Sequence, residues 1–281
     1  MKTSNAMQLK AIINSKAKEY SVPHQIMFQN YLMECFLERL EKSEFADRFI
    51  IKGGVLIASI VGLSNRTTMD IDTTVRKIKL TESEISKIIS YICSVENNDD
   101  FNFSFDRIEP IRDTDEYQGF RAFLFADYEK LHGTLSIDIT AGDSIYPKAL
   151  VHTFSKLFDD GEISLLSYSI ETILAEKLET ILSRNVTNTR PRDYYDVYIL
   201  SSGTKRIKVK KLKIALELTC EHRKTTAVLF QIPEIISAIK NSKYLSDQWE
   251  TFIKKMPYAA DISFIQVLET IEKLLNSINN T

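Results

Sequence analysis

The sequence predicts an α+β fold in which strands and helices are mixed in the front half and helices dominate the back half. Alternating apolar and polar residues, typical of half-buried strands, are confined to the front half. In the back half almost every apolar residue recurs at helical spacing. Charge divides in the same way, because residues 1–160 carry 24 acidic and 19 basic side chains, whereas residues 161–281 carry 14 and 17. We therefore predict two domains with these bounds.

The elements of the front half follow from their apolar spacing. The helical segments show one apolar stripe, and one of them begins with the spacing of a capping box, Thr81 followed by Glu84. The strand segments alternate with a period of two. In chain order we predict a helix over 8–44, a strand or turn entering a helix over 49–62, a strand over 69–75, a helix over 80–95, and strands over 101–107, 120–128 and 131–140.

The back half is predicted to be a helical bundle. The final helix is the clearest, because its apolar residues all fall on one face. The predicted helices cover 169–184, 191–201, 208–222, 226–241 and 261–278.

Composition excludes several classes of chemistry. The chain has 281 residues, of which only three are cysteine and four are histidine. The cysteines are odd in number and far apart, which excludes a disulfide framework or a CxxC zinc site. The histidines never occur as HxxxH, and the sequence contains neither GxGxxG nor GxxxxGK[ST]. If the protein is an enzyme, its chemistry is expected to depend on carboxylates and lysines.

The sequence also lacks signals for membrane insertion or export. Its first residues do not have the apolar core and cleavage site of a signal peptide. The longest apolar stretch, 55–63, is too short to span a bilayer. We expect a soluble, cytoplasmic protein without a membrane partner.

The first candidate for catalysis is the segment Asp70-Ile71-Asp72. On a strand, residues two apart point to the same face, so both carboxylates would project together while Met69 and Ile71 face the core. A hard divalent cation such as Mg²⁺ would relieve their repulsion. The alternative is a solvated strand edge.

Asp138 is the second candidate. It stands opposite the apolar positions of its strand, and if this strand lay beside that of Asp70 and Asp72, three carboxylates would converge. Three carboxylates around one or two metal ions are typical of phosphoryl transfer. An exposed strand residue is the alternative.

Two predicted helices carry charges on apolar faces. Lys177 lies on or beside the apolar stripe of one helix, with Arg184 two turns further along, and both could bind an anion such as a triphosphate. Asp193 and Asp196 share the apolar face of the next helix, where Lys177 and Arg184 would be their partners. The alternatives are a lysine that extends to solvent at the edge of the stripe and a surface aspartate near a helix N-terminus.

Weaker candidates are a glycine turn and two basic features. Lys52-Gly53-Gly54 fits a turn whose amides approach a phosphate, or an ordinary turn. Arg66 is a candidate phosphate contact or a surface loop residue. The basic run 205–213 suits either a nucleic-acid backbone or a solvated helix start.

The order of these motifs resembles the AbiEii family of nucleotidyltransferase toxins, within the DNA-polymerase-β-type superfamily. The resemblance spans roughly residues 45–200. It rests on five motifs in order: KGG at 52–54, RxxxDID at 66–72, SIDI at 136–139, AEKLET at 175–180 and NTRPRDYYDVY at 188–198.

The resemblance implies a nucleotidyltransferase fold with a mixed sheet in the front half. Asp70, Asp72 and Asp138 would hold metal, with two Mg²⁺ ions expected. Lys177 would contact the triphosphate, and Asp193 would be the aspartate of the family's motif, with Asp196 beside it. The superfamily's turn commonly reads Gly-Ser, so at Gly53-Gly54 the phosphate contacts would fall to backbone amides, Lys52 or Arg66.

The implied function is the toxin of a type IV toxin–antitoxin or phage-defence system. The enzyme would transfer a nucleoside monophosphate from an NTP to an acceptor, which in this family includes the 3′ end of tRNA. An AbiEi-like antitoxin would be its partner. The alternatives are transfer of AMP or UMP to a protein side chain, and a non-catalytic module that binds nucleotide or RNA.

Overall fold

The computed structural model describes residues 1–111, 119–203 and 207–281. Its contacts divide the chain into two compact units. The first unit comprises residues 1–143 and 150–167, and the second comprises residues 144–149 and 168–281. The predicted boundary near residue 160 falls inside a strand hairpin of the first unit.

The first unit contains four helices and seven strands among the described residues. The helices are α1 (Ala6–Glu19), α2 (His24–Lys42), α3 (Gly53–Val61) and α4 (Glu82–Ser94). The strands are β1 (Phe49–Lys52), β2 (Ile71–Val75), β3 (Asn102–Pro110), β4 (Gly119–Tyr128), β5 (Leu131–Ala141), β6 (Leu150–Ser155) and β7 (Glu162–Ser167).

The seven strands form one mixed sheet in the order β3-β4-β5-β2-β1-β7-β6. Strand β2 runs parallel to β5 and antiparallel to β1, and β1 runs parallel to β7. The mixed sheet that the resemblance implied is therefore confirmed. Its central strand β2 lies between β5 and β1, so residues of β2 have neighbours on both sides.

The second unit contains six α-helices among its described residues. They are α5 (Ile170–Arg184), α6 (Pro191–Ser202), α7 (Val209–His222), α8 (Ile232–Lys240), α9 (Lys243–Lys255) and α10 (Phe264–Asn279). Helix α5 packs against α6 and α7, and α10 packs against α6. A cluster of aromatic rings, including Trp249, Tyr195 and Phe252, fills part of this core.

The structure corrects three predictions about the elements. The segment predicted as one helix over 8–44 is two helices, because Ser21 has a positive φ of 54° and Pro23 cannot donate a backbone hydrogen bond. Met69 was expected in the core but precedes β2 and is 38% exposed, whereas Ile71 is buried. The segment predicted as one helix over 226–241 is a 3-10 helix over Thr226–Phe230 followed by α8, which has Pro233 in its first turn.

Strands β6 and β7 and helix α9 were not predicted.

Within the described residues no helix combines the length and the apolar character needed to cross a membrane.

Candidate active site

Four charged side chains form a row across the middle of the sheet. The backbone register places Arg121 on β4 opposite Asp138 on β5, Asp138 opposite Asp72 on β2, and Asp72 opposite Lys52 on β1. Residues directly opposite in neighbouring strands lie on the same face of a sheet. The order along the row is therefore cation, carboxylate, carboxylate, cation. The two carboxylates stand on adjacent strands, whose backbones are about 4.8 Å apart.

Asp72 lies against the N-terminus of α3. The backbone N–H of Gly54 donates to Asp72 Oδ2 at 3.2 Å. A carboxylate is favoured at this end of a helix because the helix dipole and the unpaired amides are positive there. The glycine turn predicted to bind phosphate thus brings at least one amide to Asp72.

Both glycines are required by close packing. Gly53 has φ +61°, and a Cβ atom built on it would lie 1.9 Å from Asp72 Oδ2. A Cβ on Gly54 would lie 2.5 Å from Thr68 Oγ1. The Gly-Gly sequence therefore allows α3 to begin directly against the side chains of the loop and strand that carry the carboxylates.

The charge of Asp72 is held in an unfavourable environment. The pKa of Asp72 is raised to about 6, mainly by burial and in addition by the neighbouring carboxylates of Asp70 and Asp138. The Gly54 amide and the Lys52 ammonium act in the opposite direction but do not cancel these effects. Without a further positive charge beside it, the ionised form of Asp72 is therefore disfavoured in the folded protein.

Asp70 and Arg66 occupy the loop that enters β2. The hydroxyl of Thr68 donates to Asp70 Oδ1 at 2.9 Å. Arg66 was predicted as a phosphate contact or a surface residue, and it is only 3% exposed, with Nη1 donating to the carbonyl oxygen of Thr67. Its side chain also lies near Gly54, so it belongs to the packing around the α3 N-terminus rather than to an open surface.

Two residues of this site were not predicted from the sequence. Arg121 pairs with Asp138 through one edge of its guanidinium, with Nε–Oδ1 at 2.6 Å and Nη2–Oδ2 at 2.7 Å. Asp143 pairs with Lys52 and also accepts a hydrogen bond from Thr140.

A signal for Arg121 was present in the sequence. Strands β4 and β5 are joined by only two residues, so that Tyr128 faces Leu131, and counting back from this pair places Arg121 opposite Asp138. No comparable local pattern places Asp143 beside Lys52, because these residues lie 91 positions apart.

The carboxylates fit a divalent metal ion by their chemistry. Asp70, Asp72 and Asp138 offer oxygen ligands, and their mutual repulsion is what a hard cation would relieve. In the part of the chain that the structure describes, however, no group of three or more candidate ligands has the arrangement of a metal site. Asp138 has both oxygens engaged by Arg121, so a metal that used all three aspartates would have to displace the guanidinium.

The second unit contains its own buried charge cluster. Lys177 of α5 pairs with Asp193 of α6 and lies 3.3 Å from Asp196 Oδ2. The side chain of Asp196 is fully buried and that of Lys177 is 22% exposed. The predicted pairing of these residues is therefore confirmed, while a role in nucleotide binding stays a prediction. Arg184 lies in the last turn of α5 and is partly buried.

Replacing Lys177 tests how much this cluster contributes to stability. In Lys177→Met, the buried carboxylates of Asp193 and Asp196 lose a cationic partner, so we expect the free energy of unfolding in urea to fall by about 3 kcal/mol. Adding Asp196→Asn should recover part of the loss, because it removes one of the two charges. Lys210→Met, at an exposed position of α7, serves as the matched control. If Lys177→Met and Lys210→Met lowered the free energy of unfolding equally, the buried ion pairs would not be the cause.

The basic run predicted over 205–213 is only partly covered. Lys205 and Arg206 lie outside the described residues. The remainder leads into α7, whose N-cap is Lys208. The backbone N–H of Lys208 donates to Glu171 Oε1 at 3.0 Å. The segment therefore includes the predicted helix start, and a role in binding nucleic acid stays a prediction.

The chain is similar in sequence to one known family. Residues 35–276 match the family described as nucleotidyl transferase AbiEii toxin, type IV TA system. No curated protein matches the chain in sequence.

Solved structures share the fold. A Helicobacter pylori protein described as a nucleotidyltransferase aligns with a TM-score of 0.52 at 16% identity. The alignment covers 92% of this chain and 98% of the Helicobacter pylori chain. JHP933 from Helicobacter pylori aligns with a TM-score of 0.51 at 16% identity, covering 92% and 95%. At this identity the likeness concerns the fold alone.

Proposed function

The chain belongs to the AbiEii family of nucleotidyltransferase toxins of type IV toxin–antitoxin systems, and from this membership we propose that it transfers a nucleoside monophosphate from an NTP to the 3′ end of tRNA. The proposal includes dependence on Mg²⁺, action in phage defence and a cognate AbiEi-like antitoxin. The family assignment makes the chain a nucleotidyltransferase. The metal, the acceptor and the biological role are the proposed parts.

The observation that carries the proposal is the register of Asp72 and Asp138 on adjacent parallel strands. Asp70 lies beside them closely enough to raise the pKa of Asp72. These three residues would hold Mg²⁺, which when bound supplies Lewis-acid stabilisation to the oxygens of the reacting phosphate. The glycines at the start of α3 keep Asp72 in place, and Thr68 orients Asp70.

Cationic side chains are proposed to bind the phosphates of the nucleotide. Lys177 is the principal candidate by its match to the family's motif, and Lys52 and Arg66 lie around the start of α3 in the first unit. Arg184, Asp196 and the amides of Gly53 and Gly54 complete the set proposed from the sequence. Asp193 is proposed to hold the Lys177 ammonium, since the two form an ion pair.

An RNA acceptor is favoured by the distribution of charge. Residues 161–281 carry 17 basic against 14 acidic side chains, although the whole chain has a net charge of −2. A basic surface attracts a polyanion without reading its sequence. The 3′ hydroxyl of tRNA is the proposed nucleophile, by the family's known range of acceptors. It would attack the α-phosphorus of the NTP, and pyrophosphate would leave as the α–β phosphoanhydride bond breaks.

The test is transfer of label from each of the four α-labelled NTPs in the presence of Mg²⁺. We expect label to enter tRNA in a mixture of total tRNA and cellular protein. Transfer should be lost with periodate-oxidised tRNA, because that treatment destroys the terminal hydroxyls. The control protein is Asp72→Asn, which should transfer nothing.

Each other outcome overturns part of the proposal. Label that enters protein instead of RNA would favour AMP or UMP transfer to a side chain. Label that enters oxidised and intact tRNA equally would contradict the 3′ hydroxyl as acceptor. If no NTP gives transfer to any acceptor, the catalytic proposal fails and a nucleotide-binding module remains.

A further inference from the structure

Arg121 and Asp138 form a bidentate ion pair. Two parallel N–H···O bonds, at 2.6 and 2.7 Å, join the guanidinium to both oxygens of the carboxylate. Bidentate pairs of this kind fix the geometry of both partners. Arg121 thus holds Asp138 in a single orientation within the row of charges.

The position of this pair is set by the backbone. Arg121 faces Asp138 across the β4–β5 hairpin, and Asp138 faces Asp72 across the parallel β5–β2 pair. The positive charge of Arg121 also acts on Asp70 and Asp72. The arginine therefore pairs with Asp138 and acts as one of the counter-charges of Asp70 and Asp72.

Arg121 is the more exposed partner of this pair. Its side chain is 41% exposed, whereas that of Asp138 is 18% exposed. Because part of the guanidinium faces solvent, a second anion can approach it while it is paired with Asp138. Such an anion would replace the two hydrogen bonds that Arg121 gives up, while the aspartate stays on its strand.

A metal ion and Arg121 compete for the same carboxylate. A divalent cation bound to Asp138 would lie next to the guanidinium of Arg121, and the two positive charges would repel each other. The planar fork of arginine binds phosphate oxygens in the same bidentate manner as it binds a carboxylate. A nucleotide phosphate could therefore take the guanidinium and leave Asp138 to the metal.

We propose that Arg121 is a positioning residue that couples metal binding to nucleotide binding by exchanging Asp138 for a nucleotide phosphate. The inference rests on the proposed function, since it takes Asp138 as a metal ligand and a nucleoside triphosphate as the substrate. Without nucleotide, Arg121 occupies Asp138 and weakens metal binding. With nucleotide, the phosphates draw the guanidinium away and metal binding tightens, and linkage requires the metal to tighten nucleotide binding equally.

The test is titration of the full chain with Mn²⁺, followed by electron paramagnetic resonance of the free ion. Wild type and Arg121→Gln are each titrated alone and with the α,β-methylene analogues of the four NTPs. Without nucleotide, we expect Arg121→Gln to bind Mn²⁺ about tenfold more tightly than wild type. The tightening that nucleotide produces should be smaller in the variant by the same factor.

Arg107→Gln is the matched control for the loss of one positive charge. Arg107 lies on the neighbouring strand β3 and pairs with Asp106 and Glu109 at an exposed position. Its variant should keep the wild-type metal affinity. Arg121→Lys, which keeps the charge but loses the bidentate geometry, should lie between wild type and Arg121→Gln and guards against a folding defect in the glutamine variant.

The outcomes separate this inference from the proposed function. If wild type binds Mn²⁺ and Arg121→Gln binds it equally or more weakly, the exchange is overturned while the metal site stands. If adding Asp72→Asn lowers the Mn²⁺ affinity of wild type and of Arg121→Gln alike, the metal lies at the proposed site. If neither protein binds Mn²⁺ with or without nucleotide, the metal site of the proposed function and the exchange both fall.

Discussion

Asp72→Asn is expected to abolish nucleotidyl transfer while the protein remains folded. Asparagine keeps the size of the side chain and can still accept the Gly54 N–H, but it removes the central negative charge of the row. In the proposed function Asp72 is a metal ligand. Its loss would remove several kcal/mol of transition-state stabilisation, so we expect the rate to fall on the order of 10³-fold or more. The measurement is label transfer to tRNA under single-turnover conditions.

The same variant should not lower stability, and its pH dependence provides an independent check. The pKa of Asp72 is raised to about 6 in the folded protein, above the value of about 3.9 for a solvated aspartate. The folded state thus binds the proton more tightly than the unfolded chain does, and the associated stabilisation is lost as pH rises through 6. Asp72→Asn lacks this loss, so its Tm should equal or exceed that of wild type at pH 8.

The matched control for this variant is Asp127→Asn, at a half-exposed carboxylate of β4 that pairs with His132. It should retain activity. A fully active Asp72→Asn protein would contradict the mechanism. A Tm for Asp72→Asn well below that of wild type at pH 8 would contradict the unfavourable environment of the carboxylate.

Gly53→Ala is expected to impair both stability and activity. A residue with φ near +61° costs about 1–2 kcal/mol when it carries a Cβ atom. The new methyl group would also lie 1.9 Å from Asp72 Oδ2, so the carboxylate or the start of α3 must move, at a further cost of about 1–3 kcal/mol. Displacing Asp72 should reduce transfer on the order of 10²-fold.

Gly142→Ala separates the cost of a Cβ atom at positive φ from the displacement of Asp72. Gly142 also has a positive φ, of 84°, but a Cβ atom there would meet no other atom within 4 Å. Its variant should therefore lose about 1–2 kcal/mol of unfolding free energy and keep most of its activity. Thermal and urea unfolding measure the first quantity, and label transfer measures the second. Equal effects of the two variants on activity would exclude steric displacement of Asp72 as the cause.

Much of the fold was accessible from the sequence because its elements carry strong local patterns. Helix α4 begins where Thr81 caps Glu84, and β5 alternates buried and exposed positions along its length. Strand β6 was missed because Phe154 is its one buried residue, so it shows no apolar alternation. The pairing of β7 with β1 joins Ile51 and Ser167, which lie far apart along the chain. Helix α9 was missed although Leu245, Trp249 and Phe252 form a buried stripe at helical spacing. Here the local pattern is sufficient to predict the helix.

The candidate site divides in the same way between local and distant information. Asp70, Asp72, Asp138 and Lys177 stand out in the sequence because a charge alternates with or interrupts an apolar pattern. Arg121 carries no such mark by itself, and only the register of the β4–β5 hairpin identifies its partner.

The apolar periodicity of the sequence is sufficient to identify the side chains that stand apart from the core, since strand and helix periods are local properties of the chain. The sequence also determined the family, through five motifs in a fixed order. The pairing of charges in the first unit, in contrast, became visible in the tertiary structure. Strand order and register place Arg121, Asp138, Asp72 and Lys52 side by side, and electrostatic energy depends on distance in space, which separation along the chain does not fix.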